Sequence, residues 1–126
     1  MPTGQMGGAY LPKMPQAEPP LVVSIVPGDA FVQPLTLGGV YWLTKATAAA
    51  ITLAPATTVP VGFTITFMAG SAAAHVVTAQ SGGIFDGTTG AKTKWTAAAF
   101  IGSNITLMAA PNGGWAVYSL NLGTVA

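Results

Sequence analysis

His75 is the one histidine in the chain, and with Ser81 and Asp86 it could be drawn as a Ser-His-Asp set. Acyl transfer by such a set needs a hydroxyl oriented by its base and donors for the oxyanion. Ser81 sits in an ordinary Ser-Gly-Gly turn, and no nucleophile elbow surrounds it. His75 is therefore expected on a strand, pointing to solvent or to a subunit contact. Paired carboxylates for glycoside hydrolysis would have to be Asp29 with Asp86, or either with Glu18, which lies in a proline-rich stretch. One histidine and three dispersed acids make no convincing three-ligand metal site. The glycines of Gly82-Gly83 and Gly113-Gly114 match no phosphate-cradling pattern. Asp86-Gly87 reads as a turn whose carboxylate caps backbone N–H groups. Lys92 and Lys94 read as solvated loop lysines. Trp42, Trp95 and Trp115 could stack on sugars if exposed, but burial in the core or a subunit interface is the commoner fate. The expectation is a non-enzyme without cofactor.

Charge is the unusual quantity. Four lysines, no arginine and three acids make 6% of the 126 residues, against about 25% in an ordinary soluble domain. Such a surface has little repulsion to keep molecules apart. With a net charge of +1 and no basic cluster, the phosphate-neutralising drive for nucleic-acid binding is missing. There is no cysteine, hence no disulfide or thiolate chemistry. Residues 1–8 lack the basic and apolar regions of a signal peptide. Pro55, Pro60 and frequent threonines interrupt every apolar run before it reaches membrane-span length. Synthesis in the cytoplasm without general secretion is the expectation, with no membrane and no nucleic acid as partner.

The elements that would position these residues are short strands. Gly102–Leu120 alternates Ile105 and Leu107 with Thr106, turns at Pro111-Asn112-Gly113-Gly114, and alternates again through Trp115 and Val117. Period-two alternation around Asn-Gly predicts a β-hairpin. Ile51–Leu53, a loop, and Gly62–Phe67 follow the same grammar and predict another. Leu21–Val26 reads as the first strand, stopped by Pro27-Gly28-Asp29. Ala30–Leu37 reads as a second, placed at an edge by Pro34. Val40–Thr44, Ala74–Thr78, Gly83–Phe85 and a strand beginning at Trp95 complete the set, with one short helix allowed near Trp95–Phe100. Residues 1–20 are different material, with five prolines and three glycines and no periodic apolar face. They predict an extended or disordered arm, on which Tyr10, Leu11 and Met14 are apolar enough to anchor a partner contact. The domains are thus 1–20 as arm and 21–126 as a β domain, an all-β antiparallel sandwich or barrel built from short hairpins.

The triplets Ala48–Ala50, Ala72–Ala74 and Ala97–Ala99 follow Thr47, Ser71 and Thr96 at spacings of 24 and 25 residues. A β-solenoid would produce that pattern, and so would low-complexity Ala/Thr usage.

The segments ITL followed by a loop and GFTITF, then VVTAQSGGIFDG, and finally ITLMAAPNGGWAVYS resemble the small β-rich virion proteins of tailed bacteriophages. Capsid decoration (cement) proteins and head-fibre proteins share this texture, and the likeness covers roughly residues 40–126. The resemblance implies a homotrimer on the outer surface of an icosahedral head, partnered by the major capsid protein. It carries over no functional residue. An arm that reaches neighbouring capsomers would suit residues 1–20, and Leu21, Val22 and Val23 open the first strand to test for strand addition. A phage fibre or tail module that binds a host receptor or glycan is the alternative.

Overall fold

The computed structural model describes residues 23–33 and 39–126. Among these residues, eleven strands and one 3-10 turn, Ala56–Thr58, make up the regular structure. The strands are β1 (Val23–Val26), β2 (Ala30–Val32), β3 (Val40–Leu43), β4 (Ala50–Leu53), β5 (Thr64–Ala69) and β6 (Val76–Ala79). They continue with β7 (Ile84–Phe85), β8 (Lys94–Thr96), β9 (Asn104–Ala109), β10 (Trp115–Asn121) and β11 (Thr124–Val125). The predicted arm, residues 1–20, and the candidates Tyr10, Leu11, Met14, Leu21 and Val22 lie outside the described residues. So does most of the extension of β2 towards Leu37.

Two sheets form. A six-stranded sheet runs β1-β3-β5-β9-β10-β7, and a five-stranded sheet runs β11-β8-β6-β4-β2. From β1 to β9 each successive strand belongs to the other sheet. The chain therefore winds, and each strand in the first half pairs in parallel with the strand two elements earlier. β1, β3 and β5 pair so in one sheet, and β2, β4 and β6 in the other. The repeat between the second and third turns is 26 residues on both sheets, Val40 to Thr66 and Ala50 to Val76. A parallel pair needs a long crossover connection, and here the intervening strand of the opposite sheet supplies it.

This corrects the antiparallel expectation, because both sheets are mixed. β5–β9, β9–β10, β6–β8 and β8–β11 are the antiparallel ladders. It also corrects the Ile51–Phe67 hairpin. Its two strands are β4 and β5, which lie in different sheets. The loop between them turns the chain from one sheet to the other. The helix near Trp95–Phe100 does not form either; Lys94–Thr96 is strand, and a turn follows at Phe100–Gly102. The alanine triplets do not mark the true repeat. Ala50 pairs with Val76, a register of 26 residues, so the first two triplets, 24 apart in the sequence, do not stand opposite each other. The third triplet follows β8, which runs antiparallel to β6.

The hairpin at Gly102–Leu120 is present as β9 and β10. Gly113 adopts φ +87°, the left-handed region that suits glycine. Asn112 Oδ1 accepts from Gly114 N–H at 3.0 Å, and Gly114 O accepts from Ala110 N–H at 2.9 Å. A register shift opposite Thr106 and Leu107 leaves Tyr118 as the extra residue of a β-bulge.

One cluster of buried side chains draws on both sheets. Leu43, Ile65, Phe67, Ile105, Leu107 and Trp115 come from the six-stranded sheet, and Val32, Ile51, Leu53, Val77 and Trp95 from the other. Each such side chain contributes roughly 1.5–3 kcal/mol on burial. Trp115 also spans the core, its Nε1 donating to Ala54 O at 3.0 Å. Beside it, the connection after β6 packs on the hairpin turn. Gly82 has φ +78°, and a Cβ there would lie 2.5 Å from Gly113 O. Both strain and collision oppose any side chain. Gly82→Ala is expected to cost about 2–3 kcal/mol. A urea melt checks the magnitude, and loss of amide protection in Ala110–Trp115 locates the damage.

Candidate functional site

The residues proposed for chemistry are not brought together. His75 precedes β6 and Ser81 follows it, so an extended strand holds them apart by roughly 15–20 Å. Asp86 lies further on, after β7, where its carboxylate caps its own turn as expected. Oδ1 accepts from Thr88 N–H at 3.0 Å and from the Thr88 hydroxyl, and Lys92 Nζ stands 3.7 Å away. These hydrogen bonds hold the Asp86 carboxyl below its usual range. Lys92 is thus engaged, with Nζ also donating to Thr88 Oγ1 at 2.7 Å, while Lys94 is exposed on β8. Asp29 serves as a brace between turns. Its Oδ1 accepts from Ala50 N–H at 2.8 Å and from Lys45 Nζ at 3.0 Å, and its carboxyl is lowered in the same way. Among the described residues no three acids, histidines or cysteines gather into a metal site.

His75 is the correction of most consequence. It points neither to solvent nor to a free face but is wholly buried. Nδ1 accepts from Ala49 N–H at 3.0 Å, and Nε2 lies 2.9 Å from Ser71 Oγ. Ser71 Oγ in turn donates to Lys45 O. Because Nδ1 accepts, the proton of the neutral ring sits on Nε2 and donates to Ser71. The serine hydroxyl proton points away from the ring, so His75 cannot act as its base. The pair resembles a catalytic dyad in composition and is wired in the opposite sense. Main-chain bonds extend the network, His75 O accepting from Ala97 N–H at 2.8 Å. Burial pushes the imidazole below its ordinary value; the Ser71 main chain opposes the shift and the Lys45 charge adds to it. On sequence alone only Ser81 is set beside the histidine, in a pairing that is rejected, and Ser71 is not considered. The signal that could have found Ser71 is the four-residue spacing across the tight Ala72–Ala74 turn.

Trp95 and Trp115 are fully buried, as the core expectation held, and Trp95 Nε1 donates to Leu122 O at 3.4 Å. Trp42 differs. It is only partly buried, and its indole lies on Gly70, where a Cβ would meet Trp42 Nε1 at 2.5 Å. Trp42 belongs to the outer face of the six-stranded sheet, away from the buried cluster. Ladder registers assemble that face in rows. Ile25, Trp42, Met68 and Asn104 make one row; Val23, Val40, Thr66, Thr106 and Ser119 make the next. Thr64, Met108, Ala116 and Phe85 make a third. No residue in these rows is charged. Val23 and Ile25 are 55% and 61% exposed, and Thr66 and Thr106 share a hydroxyl hydrogen bond of 2.7 Å. All described charges lie elsewhere: Asp29, Lys45, Asp86 and Lys92 in connections, and Lys94 on the other sheet. The sequence concealed this face because Val23, Ile25, Val40 and Trp42 read as ordinary strand residues until the register shows which side they take. No protein-family model matches the chain, and no curated protein is found similar to it.

Proposed function

We propose that this chain is a structural protein of a tailed-phage particle, a capsid decoration protein that binds the major capsid protein on the outer surface of the head and stabilises it. Its role is adhesive and non-enzymatic, and it self-associates. The observation that carries the reading is the pair of strand edges at the start of the winding. Among the described residues β1 and β2 are the edge strands of their respective sheets. They display Val23, Ile25 and Phe31, the last 55% exposed. An edge strand presents a row of main-chain donors and acceptors that a second polypeptide can extend. Main-chain recognition of that kind suits a chain with so few charged side chains. The segments that carry the likeness to virion proteins fall on β4–β7, β9 and β10 with their turns, and hence on the two-sheet core. The finer architecture we assign is a sandwich of the two sheets, with residues 1–20 as an arm on the capsid side.

Gradient sedimentation of the source lysate tests this. Co-migration with full, expanded heads and not with detached tails is the expected result; co-migration with tails or fibres would replace it by the receptor-binding alternative. Several weak contacts held in one oligomer reinforce each other through effective concentration. Removal of residues 1–20 is accordingly expected to weaken head binding by roughly 10²-fold. Unchanged affinity would show that the arm plays no part.

A further inference from the structure

We propose that the outer face of the six-stranded sheet is the surface through which this chain associates with a second copy of itself, apolar half against apolar half around Trp42. The inference deepens the self-association named above and does not require a capsid. Charge selects the occupant. A foreign partner with an ordinary surface would bring ionised groups onto a face that offers no counter-charge, and each would lose water without compensation. A second copy brings none, because the same rows of Ile25, Trp42, Met68, Val23, Val40 and Thr66 face it. Residues 1–22 are the poorer candidate, since they carry Lys13 and Glu18 and their prolines supply no main-chain donors.

Size fits a weak, reversible contact. The six strands are two to seven residues long and about 4.8 Å apart, which gives a face of roughly 25 by 16 Å, about 400 Å² flat. Two such faces make a contact at the small end of interface sizes, as a concentration-dependent oligomer would. Anchoring also agrees. Tryptophan is the residue most often found to dominate such contacts, and Trp42 is already held flat against Gly70, with little rotamer freedom left to lose on association. Asn104, Ser119 and the Thr66–Thr106 hydroxyl pair supply a polar margin on one side.

Sedimentation velocity of the purified full chain tests the proposal without any phage head. Wild-type protein is expected to form a concentration-dependent oligomer. Trp42→Lys and Ile25→Lys are expected to raise its dissociation constant roughly 10²-fold or more, with unchanged circular dichroism. Ile25 is largely exposed, so its variant carries the test should Trp42→Lys fail to fold. A monomeric wild type, or an oligomer insensitive to both lysines, overturns the proposal. If a monomeric wild type shields Trp42 from iodide quenching until residues 1–22 are removed, the chain's own N-terminal segment is the occupant and the proposal also falls. Oligomers that ignore phage heads would refute the capsid reading alone, and a monomer that binds heads would refute this one alone.

Discussion

His75→Ala is expected to lower stability by about 3–5 kcal/mol, the largest effect of any single polar substitution in the described core. Two terms add. The ring leaves a cavity at a wholly buried position, and its removal strands Ala49 N–H, while the Ser71 hydroxyl loses the ring as donor and keeps Lys45 O as acceptor. A buried donor left unmatched costs about 1–3 kcal/mol. A parallel result should come from pH alone. The native ring is held neutral, so protonation favours the unfolded chain. The stabilising contribution is whole above the unfolded value near 6.5 and declines as pH falls below it towards the lowered native value. A protonated ring would turn its Nδ1 into a donor facing the Ala49 N–H donor. Urea melts at pH 7.5 and pH 5 measure the difference for wild type and His75→Gln. A pH response of equal size in both would show that His75 is not its source. Asp29 and Asp86 act lower, below about pH 4, since their native values are depressed, and contribute nothing between these two pH values.

Trp115→Ala is expected to cost about 3–5 kcal/mol through the cavity alone, and Trp115→Phe about 1–2 kcal/mol through the orphaned Ala54 carbonyl. The separation between these two values is the informative quantity. Trp115 belongs to β10, while Ala54 follows β4 on the opposite sheet, 61 residues earlier. Near-equal melts for the phenylalanine variant and the wild type would mean that the indole N–H contributes nothing across the core. Guanidinium titrations followed by Trp95 fluorescence make the comparison, since Trp95 is buried in the other sheet.

Strand identity was legible in this sequence, and partnership was not. Ile105-Thr106-Leu107 and Phe63–Phe67 announce period-two alternation, and Asn112-Gly113 announces its turn. The same local chemistry, however, serves a hairpin and an arch between sheets. Pro60-Val61-Gly62 reverses the chain as well as Asn112-Gly113 does. Whether the next strand pairs beside the last or faces it across the core is settled by burial at long range. Ile51 and Leu53 pack inward from one sheet while Ile65 and Phe67 pack inward from the other. That choice leaves no mark within a few residues of the turn. The candidate chemistry failed for a related reason. His75 and Ser81 are near in sequence, but a strand between them extends and does not fold back. Ser71 lies as near on the other side, and there a tight turn folds the chain. The spacing of the alanine triplets pointed towards a wound architecture while misplacing its register by two residues.

The strict exchange of strands between sheets from β1 to β9 bears on how the molecule assembles in time. Each of β3, β4, β5 and β6 finds its parallel partner in a strand already made, so the winding can grow in the direction of synthesis, one turn upon another. The antiparallel half obeys a different schedule. β5 waits for β9 some forty residues later, with Ile65, Phe67 and Ala69 lacking their neighbours in the interval. Non-local pairing of this kind is slow, typically milliseconds to seconds. The six-stranded edge at β5 is thus the point of greatest exposure to misassociation before the hairpin of β9 and β10 arrives to close it.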